Sequence, residues 1–448
     1  MKRVIPLVMI CISGMLLTAC SNADYIHAIP EGSTALASVD VATLGSQTKL
    51  ESKANPFLSW LGVNDAAECG MDFRSKLYFF ETADGNLGAV AKVNNRSKLE
   101  KVITQMAEAK KAKPLVEKKG FAFTVLNGTW VVGVSDCALM VMGPALSNVQ
   151  TQLMSQMAKW LSQDEESSMV GTPMFERLDS IQSGVALVAQ AQALPEKLAS
   201  LFTLGAPKDA DASQVVLAAE MGVADGQLQI KGETFSFNRR INEALQLSAK
   251  AFRPVKGKYG AVAASNHLVT LFMNVDGKQF LPLLRQNEFW QTMLMGVNTA
   301  IDMDNIIKAI DGDVAVAVNS LDAASFNMSM GAEMGSLAFV EDIGYWKQSC
   351  PQGSRIDDWQ KNGWMFTNGK QNVYFGVSDG SAPLFYSGTD KEAALMMAKP
   401  AASSLQYEGE KLVAIIRLSQ VDNDVVKTFM SILEPMFGKL DSIVYMRK

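Results

Sequence analysis

"KKGFAFTVLNGTWVVGVSD" at residues 118–136 and "KNGWMFTNGKQNVYFGVSD" at residues 361–379 are two stretches of 19 residues that align without a gap and share eight identities. In the first stretch, Asn127-Gly128 separates two short runs rich in β-branched and aromatic residues, and this dipeptide is the strongest short signal for a β-hairpin. A third apolar run follows the shared Gly-Val-Ser-Asp in each copy. Each copy therefore predicts a three-stranded antiparallel meander.

The likeness between the two parts of the chain extends beyond these stretches. Residues 55–64 have a counterpart at residues 287–298, and the matching segments follow the same order in both parts. A period of roughly 240 residues is far longer than that of solenoid repeats, so it indicates a duplicated domain. We predict an α+β fold, a tandem duplication of a largely antiparallel sheet with helices on one face. The repeats cover residues 21–255 and 256–448, with a linker at residues 253–260.

The second repeat is predicted to lack the last strand of the first. Asp225-Gly226 joins two strand-like runs in the first repeat, whereas the chain ends at Lys448 after the first of these runs. We therefore predict that the strand at residues 442–446 is a sheet edge. Such an edge is either covered by the first repeat or open to strand addition by a partner.

The first twenty residues have the pattern of a lipoprotein signal peptide. Lys2 and Arg3 precede an apolar run at residues 4–19, which is too short to span a bilayer. The run ends in Leu-Thr-Ala-Cys at residues 17–20, which resembles the bacterial lipobox. We expect cleavage before Cys20 and acylation of that residue, with chains such as palmitate holding the mature protein on a membrane. The alternative is an ordinary secretory signal with a chance cysteine.

Composition and charge exclude several classes of protein. With 48% hydrophobic and 19% charged residues, the chain is typical of a globular protein with a large core. The formal net charge is −5, and loss of Lys2 and Arg3 lowers it to −7. A chain of this charge offers no general basic face to a nucleic acid, so no nucleic-acid partner is expected.

One basic run, at residues 110–119, has two interpretations. It follows a predicted helix with apolar residues at helical spacing and Asn95 as N-cap, and Pro114 ends the pattern. Lysines near a helix C-terminus favour its dipole, so a solvated helix terminus is the preferred interpretation. Contact with anionic lipid is the alternative.

The search for catalytic residues gives none. The two histidines, His27 and His267, are too few for a histidine-based triad or a multi-histidine metal site within either repeat. Asp136 and Asp379 recur at the end of the two stretches, but no second catalytic group recurs beside them, so we interpret both as turn residues. No catalytic, cofactor-binding or metal-binding residue is predicted.

A calcium site is disfavoured at residues 209–220. Asp209, Asp211, Ser213 and Glu220 occupy ligand positions of an EF-hand loop, but Gln214 replaces the obligatory glycine. The residues after Gln214 form an apolar run typical of a buried strand. We therefore predict a strand rather than a calcium-binding loop.

The sulfur-containing residues also have a structural interpretation. Three methionines at residues 328–334 resemble a Cu(I) site, but they alternate like one face of a strand and suit core packing. Apart from Cys20, the mature cysteines are Cys69, Cys137 and Cys350, and an odd number excludes a disulfide framework. A single bridge between Cys69 and Cys137 stays open.

Residues 24–44, "DYIHAIPEGSTALASVDVATL", and residues 168–189, "SMVGTPMFERLDSIQSGVALVA", together with the lipobox at Cys20, resemble a family of Bacteroidetes envelope lipoproteins catalogued as a domain of unknown function. This resemblance implies tandem α+β repeats and no assigned activity, so it supplies no functional residues. "SNAD" after Cys20 lacks the acidic cluster expected of surface-exported members, which favours the periplasmic face of the outer membrane.

These observations favour a non-catalytic, lipid-anchored protein of the cell envelope, acting as a binding or envelope-assembly module. Its expected partners are the membrane, through acylated Cys20, and an envelope protein or glycan. The alternative is a carboxylate-dependent envelope hydrolase whose scattered site residues are invisible in the sequence.

Overall fold

The computed structural model describes residues 24–43, 66–194, 199, 202–264, 266–286, 291, 300–320, 327–378, 382–402, 407–420 and 439–447. Residue contacts divide the chain into two compact units, which we name unit 1 (Met1–Val188) and unit 2 (Ala189–Lys448). Each described part contains both helices and strands. Within the described residues, no helix combines the length and apolar character needed to cross a membrane.

Unit 1 is built on antiparallel strands. Its strands, the last of which crosses the unit boundary, are β1 (Ser33–Val39), β2 (Leu77–Thr82), β3 (Leu87–Lys92), β4 (Val116–Lys118), β5 (Phe121–Leu126), β6 (Trp130–Val134), β7 (Ala138–Gly143) and β8 (Val185–Gln190). The antiparallel pairs are β1 with β2, β2 with β3, β3 with β7, β7 with β6, β6 with β5 and β5 with β4. Strand β8 also pairs with β1.

Unit 1 contains four described helices, of which two begin at a side-chain N-cap. They are α1 (Ala66–Cys69), α2 (Arg96–Glu108), α3 (Gln150–Trp160) and α4 (Pro173–Asp179). The side chain of Asn95 accepts a hydrogen bond from the Lys98 amide and caps α2, as predicted. Thr172 caps α4 in the same way, and Pro173 occupies its first turn, where a missing N–H costs nothing.

The stretch at residues 118–136 forms the predicted meander from β5, β6 and β7. Asn127 and Gly128 have φ values of 47° and 78°, the left-handed values required by a type I′ turn. The Thr129 amide donates to the Leu126 carbonyl at 3.1 Å and closes the turn. The prediction of a two-residue hairpin is confirmed.

Unit 2 contains the remaining described strands. They are β9 (Val216–Ala224), β10 (Gln227–Phe235), β11 (Phe252–Arg253), β12 (Val269–Asp276), β13 (Ile310–Ser320), β14 (Asn327–Met334), β15 (Arg355–Gln360), β16 (Gly363–Thr367), β17 (Asn372–Ser378), β18 (Leu384–Gly388), β19 (Leu412–Arg417) and β20 (Ser442–Arg447). Strands β16, β17 and β18 form the second predicted meander.

The order of strand partners in unit 2 parallels that of unit 1. The antiparallel pairs are β12 with β13, β13 with β14, β14 with β18, β18 with β17, β17 with β16 and β16 with β15. Strand β19 pairs with β12, as β8 pairs with β1. The described helices of unit 2 are α5 (Arg239–Ala249), α6 (Gly260–Ala264), α7 (Gly277–Gln286), α8 (Met303–Lys308), α9 (Ile343–Ser349) and α10 (Lys391–Ala398).

Strand β20 is paired along both sides. It runs antiparallel to β19 and parallel to β10, with Val444 opposite Ile415 on one side and Gln229 on the other. The Asp225-Gly226 turn joins β9 to β10 as predicted. Because β10 belongs to the predicted first repeat, the edge is covered by that repeat, and the alternative of an open edge at β20 is wrong.

The segment predicted as a linker is packed into unit 2. Val255 and Tyr259 are buried, and the Val255 amide donates to the Glu410 carbonyl at 2.9 Å. The predicted α+β class and the largely antiparallel pairing are confirmed. The repeat limits at residues 255 and 256, the duplication itself and the placement of helices on one face stay predictions. The compact units divide instead within β8.

The three cysteines within the described residues form no disulfide bond. Cys69 is buried, whereas Cys137 and Cys350 are partly exposed. The bridge between Cys69 and Cys137 that the sequence left open is therefore absent. Burial raises the pKa of the Cys350 thiol, which keeps it protonated and poorly nucleophilic.

Candidate functional site

Cys20, the predicted lipidation site, and Asp379 lie outside the described residues. Asp136 is described and is exposed at the turn between β6 and β7. Its carboxylate accepts a hydrogen bond from the Arg96 guanidinium at 3.4 Å, and Arg96 also contacts Glu100 and Glu117. These contacts fix the turn to helix α2, which fits a structural role for Asp136.

The residues of the EF-hand-like stretch do not converge on a common point. Asp209 binds Arg240 through both carboxylate oxygens, at 3.1 and 2.8 Å. Asp211 accepts from the Ser213 amide at 2.8 Å and caps a short 3-10 helix, while Glu220 lies within β9. Within the described residues, no group of three or more His, Cys, Asp or Glu side chains is arranged to hold a metal ion.

Two of the three methionines of β14 pack into the core of unit 2. Met334 is buried in a cluster with Val314, Phe339 and Trp346, and Met330 packs against the same cluster. The core-packing interpretation is confirmed for Met330 and Met334.

A buried polar group in unit 2 is the strongest candidate site in the described structure. It lies where β12, β13 and β14 meet the segment before α6, and we name it the Asp313 cluster. Its side chains are Asn274 of β12, Asp313 of β13, Glu333 of β14 and Tyr259. Each strand contributes a polar residue to a largely apolar sheet, and a buried polar group of this kind needs hydrogen-bond partners.

Asp313 is 2% exposed and is surrounded by N–H donors. Its Oδ1 accepts from the Lys256 amide at 3.0 Å and from Asn274 Nδ2 at 2.8 Å, and its Oδ2 accepts from the Lys258 amide at 2.9 Å. These bonds attach residues 256–258 to the middle of the sheet. The backbone N–H groups of Lys256 and Lys258 thus donate to a carboxylate, as they would otherwise donate to the carbonyl groups of a neighbouring strand.

Glu333 and Tyr259 fit over glycines of the two neighbouring strands. A Cβ atom at Gly312 would lie 2.5 Å from Glu333 Oε2, and one at Gly331 would lie 2.5 Å from the Tyr259 ring. Glu333 Oε2 accepts from the Asp313 amide at 2.9 Å. Glycine at positions 312 and 331 therefore makes room for both side chains on the sheet surface.

Arg253 extends the cluster towards solvent. Its Nε donates to Asn274 Oδ1 at 2.9 Å, its Nη2 to the Val275 carbonyl at 2.7 Å and its Nη1 to Asp311 Oδ1 at 2.7 Å. Asn274 therefore bridges Arg253 to Asp313. The three bonds orient the guanidinium and fix the start of the packed segment.

The chemistry of the Asp313 cluster favours a structural role. Burial, and then the carboxylates of Glu333 and Asp313, raise the pKa of Tyr259 far above its usual value, so the phenol stays protonated and cannot act as a base. Asp313 accepts from three different groups and is shielded from solvent, which leaves it poorly placed to attack or protonate a substrate. The cluster holds the segment before α6 on the sheet.

The Tyr259 hydroxyl yields a direct prediction, because it is buried and has no hydrogen-bond partner in the described part of the chain. Tyr259→Phe should change the free energy of unfolding at neutral pH by less than about 1 kcal/mol, since no bond is lost. The raised folded-state pKa stabilises the protein fully below the unfolded value of about 10, and this stabilisation is lost as pH rises further. The variant should therefore lose less stability than the parent above pH 10.

Denaturant unfolding of both proteins between pH 7 and pH 11 measures this effect. Tyr345→Phe is the matched control, because the Tyr345 side chain is exposed. A loss of several kcal/mol in Tyr259→Phe at pH 7 would contradict the assignment, because it would mean that the hydroxyl makes a stabilising bond.

Sequence reasoning missed the Asp313 cluster, although one signal was present. Asn274 and Asp313 each lie inside a strand-like apolar run, at residues 269–276 and 310–320. A charged residue in such a run is buried only with partners. The partners themselves were not predictable, because two of the donors are backbone amides in the segment interpreted as a linker.

Comparisons with known proteins give one family and two solved structures. The sequence model of the family described as "Domain of unknown function (DUF4836)" matches residues 28–407. The comparison with curated proteins gives no match. Crystal form IV of TP0453 is similar at 11% identity, with a TM-score of 0.28, over 45% of this chain and 76% of that chain. Crystal form III gives 8% identity and a TM-score of 0.24, over 83% and 96% of the two chains. Likeness at these TM-scores supports no conclusion about fold or function.

Proposed function

This chain belongs to the DUF4836 family, a domain of unknown function, and from that premise we propose that it is a lipid-anchored protein of the bacterial cell envelope. In this proposal its folded units bind an envelope protein or glycan and catalyse no reaction. The observation that carries the anchoring is the lipobox-like Leu-Thr-Ala-Cys at residues 17–20, which follows a basic start and a short apolar run. The periplasmic face of the outer membrane is the proposed location.

The use of the described acidic side chains supports binding rather than catalysis. Asp313 anchors a backbone segment, Asp209 pairs with Arg240, and Asp211 caps a short helix. A carboxylate-dependent hydrolase needs two carboxyl groups that face a common, accessible space. Each of these three carboxylates instead has contacts that explain its position in the fold.

The proposed binding body consists of two related repeats. Support for this part of the proposal comes from the shared order of antiparallel partners around the two meanders. In each repeat the second strand before the meander pairs with the last strand of the meander, namely β3 with β7 and β14 with β18. Two repeats of this kind offer two similar surfaces, which suits recognition of a repetitive or two-part ligand.

The lipid anchor is tested at Cys20. Expressed in a bacterial host with lipoprotein processing, the parent chain should incorporate labelled palmitate and sediment with membranes. Cys20→Ala should lose the label, and its chain should either leave the membrane fraction or accumulate as an uncleaved precursor. The neighbouring change Ser21→Ala is the control and should keep the label. Unchanged labelling and fractionation of Cys20→Ala would contradict the anchor.

The binding function is tested by capture. The acylated chain is purified from native envelopes after mild crosslinking, and the crosslinked partners are identified by mass spectrometry. Enrichment of the same protein or glycan in repeated captures is the expected result. Turnover of envelope polysaccharides or esters by the purified chain would instead support the hydrolase alternative.

A further inference from the structure

Unit 1 carries a concentrated basic segment directly after helix α2. Residues 110–119 contain five lysines and one glutamate, in a chain whose formal net charge is −5. Lys110, Lys111 and Lys119 are exposed. No carboxylate in the described part of the chain forms an ion pair with these three side chains, and the one glutamate of the segment, Glu117, pairs with Arg96. The segment therefore presents net positive charge to solvent.

Stabilisation of the dipole of helix α2 accounts for few of these lysines. The helix ends at Glu108, and its last turn contains no basic residue. Lys110 has a φ of 58° and lies beyond the helix. Because the helix dipole acts mainly within the last turn, attraction to the dipole, which was the reason for preferring a solvated helix terminus, leaves most of these lysines without a role.

The basic segment lies against the N-terminal part of helix α3. Lys113 Nζ donates to Gln150 Oε1 at 3.1 Å, and Lys118 Nζ donates to the Thr151 carbonyl at 3.0 Å and to Ser155 Oγ at 2.6 Å. Gln150 in turn donates to the Ala145 carbonyl at 3.1 Å. Lys113, Lys118 and the loop that leads into α3 therefore belong to one continuous surface.

Exposed apolar side chains lie on the same surface. Leu146 is 73% exposed and Val149 is 42% exposed in the loop before α3, and Val116 of the edge strand β4 is 51% exposed. Residues 144–155 contain no charged side chain. We define the basic–apolar surface by its lysines and exposed apolar residues, which are Lys110, Lys111, Lys113, Lys118, Lys119, Val116, Leu146 and Val149.

We propose that the basic–apolar surface docks unit 1 onto the anionic phospholipid headgroups of the membrane that holds the chain. This inference rests on the proposed lipid anchor. Lysines near a membrane are attracted to anionic headgroups, and exposed leucine and valine side chains enter the boundary between headgroups and acyl chains. The acyl anchor holds the chain on the membrane, and the surface fixes the orientation of unit 1.

The combination of charge and apolar side chains selects this partner. A soluble polyanion would attract the lysines but would leave Leu146 and Val149 in water. An anionic bilayer satisfies both, because phosphate groups and hydrocarbon lie within a few ångströms of each other at its surface. The lysine side chains also have long apolar stems, which lets their ammonium groups reach the phosphates while the apolar residues insert.

The test uses the chain without its anchor, residues 21–448, and vesicles of defined composition. Co-sedimentation is measured with vesicles of phosphatidylglycerol and phosphatidylcholine at 30:70, and with pure phosphatidylcholine. We expect binding to the anionic vesicles only, weakening as salt rises from 50 to 300 mM. Because no acyl chain is present, failure of the lipid anchor at Cys20 would not change this result.

Three variants test the surface itself. Replacing Lys110, Lys111 and Lys119 with glutamine should weaken binding about 100-fold, since each lysine near the surface contributes about one kcal/mol. Leu146→Gln should weaken it about tenfold. The matched control replaces Lys361, Lys370 and Lys399, exposed lysines of unit 2, with glutamine and should bind like the parent. Circular dichroism and thermal unfolding show that all four proteins are folded.

Two outcomes would overturn the proposal. Equal binding by the surface variant and the control variant would show that the lysines of this surface are not used. Binding of dextran sulfate, a soluble polyanion, is measured for the same proteins. If the surface variant loses this binding while its vesicle binding is unchanged, the surface binds a soluble polyanion instead of a membrane.

Discussion

Val444→Asp is expected to abolish the cooperative folding of unit 2, whereas the same replacement at Val116 in unit 1 should be nearly neutral. Val444 is 0% exposed in the middle of β20, in a core cluster with Val413, Ile415 and Met446. An aspartate there would place an unpaired carboxylate in an apolar interior, at a cost of more than about 4 kcal/mol. Val116 is half exposed, so its replacement should cost less than about 0.5 kcal/mol.

The position of β20 amplifies the effect of Val444→Asp. The strand is the shared partner of β10 and β19, so its displacement opens two sheet edges at once. Val444→Ala is a milder change. The cavity it leaves should lower the free energy of unfolding by about 2 to 3 kcal/mol.

Chemical denaturation followed by tryptophan fluorescence measures the loss of stability, and hydrogen exchange locates it. In Val444→Asp the amides of β10 and β19 should lose protection, while those of β5 and β6 in unit 1 keep theirs. If Val444→Asp unfolds at the same denaturant concentration as Val116→Asp, then β20 does not occupy a central position.

Asp313→Ala should destabilise the protein by about 3 to 5 kcal/mol. The change removes the acceptor of the Lys256 and Lys258 amides and of Asn274 Nδ2. These donors would then be buried without partners. Asp313→Asn should lose less stability than Asp313→Ala but more than none. Its side-chain carbonyl oxygen can still accept a hydrogen bond, whereas its NH2 group faces other donors.

Asp311→Ala is the matched control, two residues away on the same strand. The Asp311 side chain is largely exposed and pairs with Arg253 at 2.7 Å, so its loss should cost less than about 1 kcal/mol. Thermal and denaturant unfolding compare the variants at pH 7. If Asp313→Ala were as stable as Asp311→Ala, the Asp313 cluster would not anchor the segment, and a ligand-binding or catalytic role would regain support.

Much of the local structure was predictable because its signals lie within a few residues of each other. Asn127-Gly128 specified a hairpin through the left-handed backbone that both residues tolerate. Asn95 specified the start of α2 through a side-chain bond to an amide three residues later. Met330 and Met334 of β14 followed the alternation of a strand, which placed them in the core.

The errors came from contacts between residues far apart in the sequence. The segment at residues 253–260 contains the glycines, proline and lysines of a loop, and these features indicated a linker. Its burial depends on Asp313, more than fifty residues later. No local pattern in either segment specifies the other, so composition alone could not distinguish an exposed linker from a packed one.

The sequence by itself determined the strands, turns and helix caps of this protein, the two meanders and the signal that predicts an anchor at Cys20. These features follow from backbone preferences and from apolar spacing over a few residues. Only the tertiary structure decided that β20 lies between β10 and β19, and that Asp313 holds a backbone segment. It also decided that Lys113 and Lys118 contact the first residues of α3, which follows the exposed apolar loop. Such neighbours are selected by the packing of whole sheets, where many weak contacts across distant segments act together.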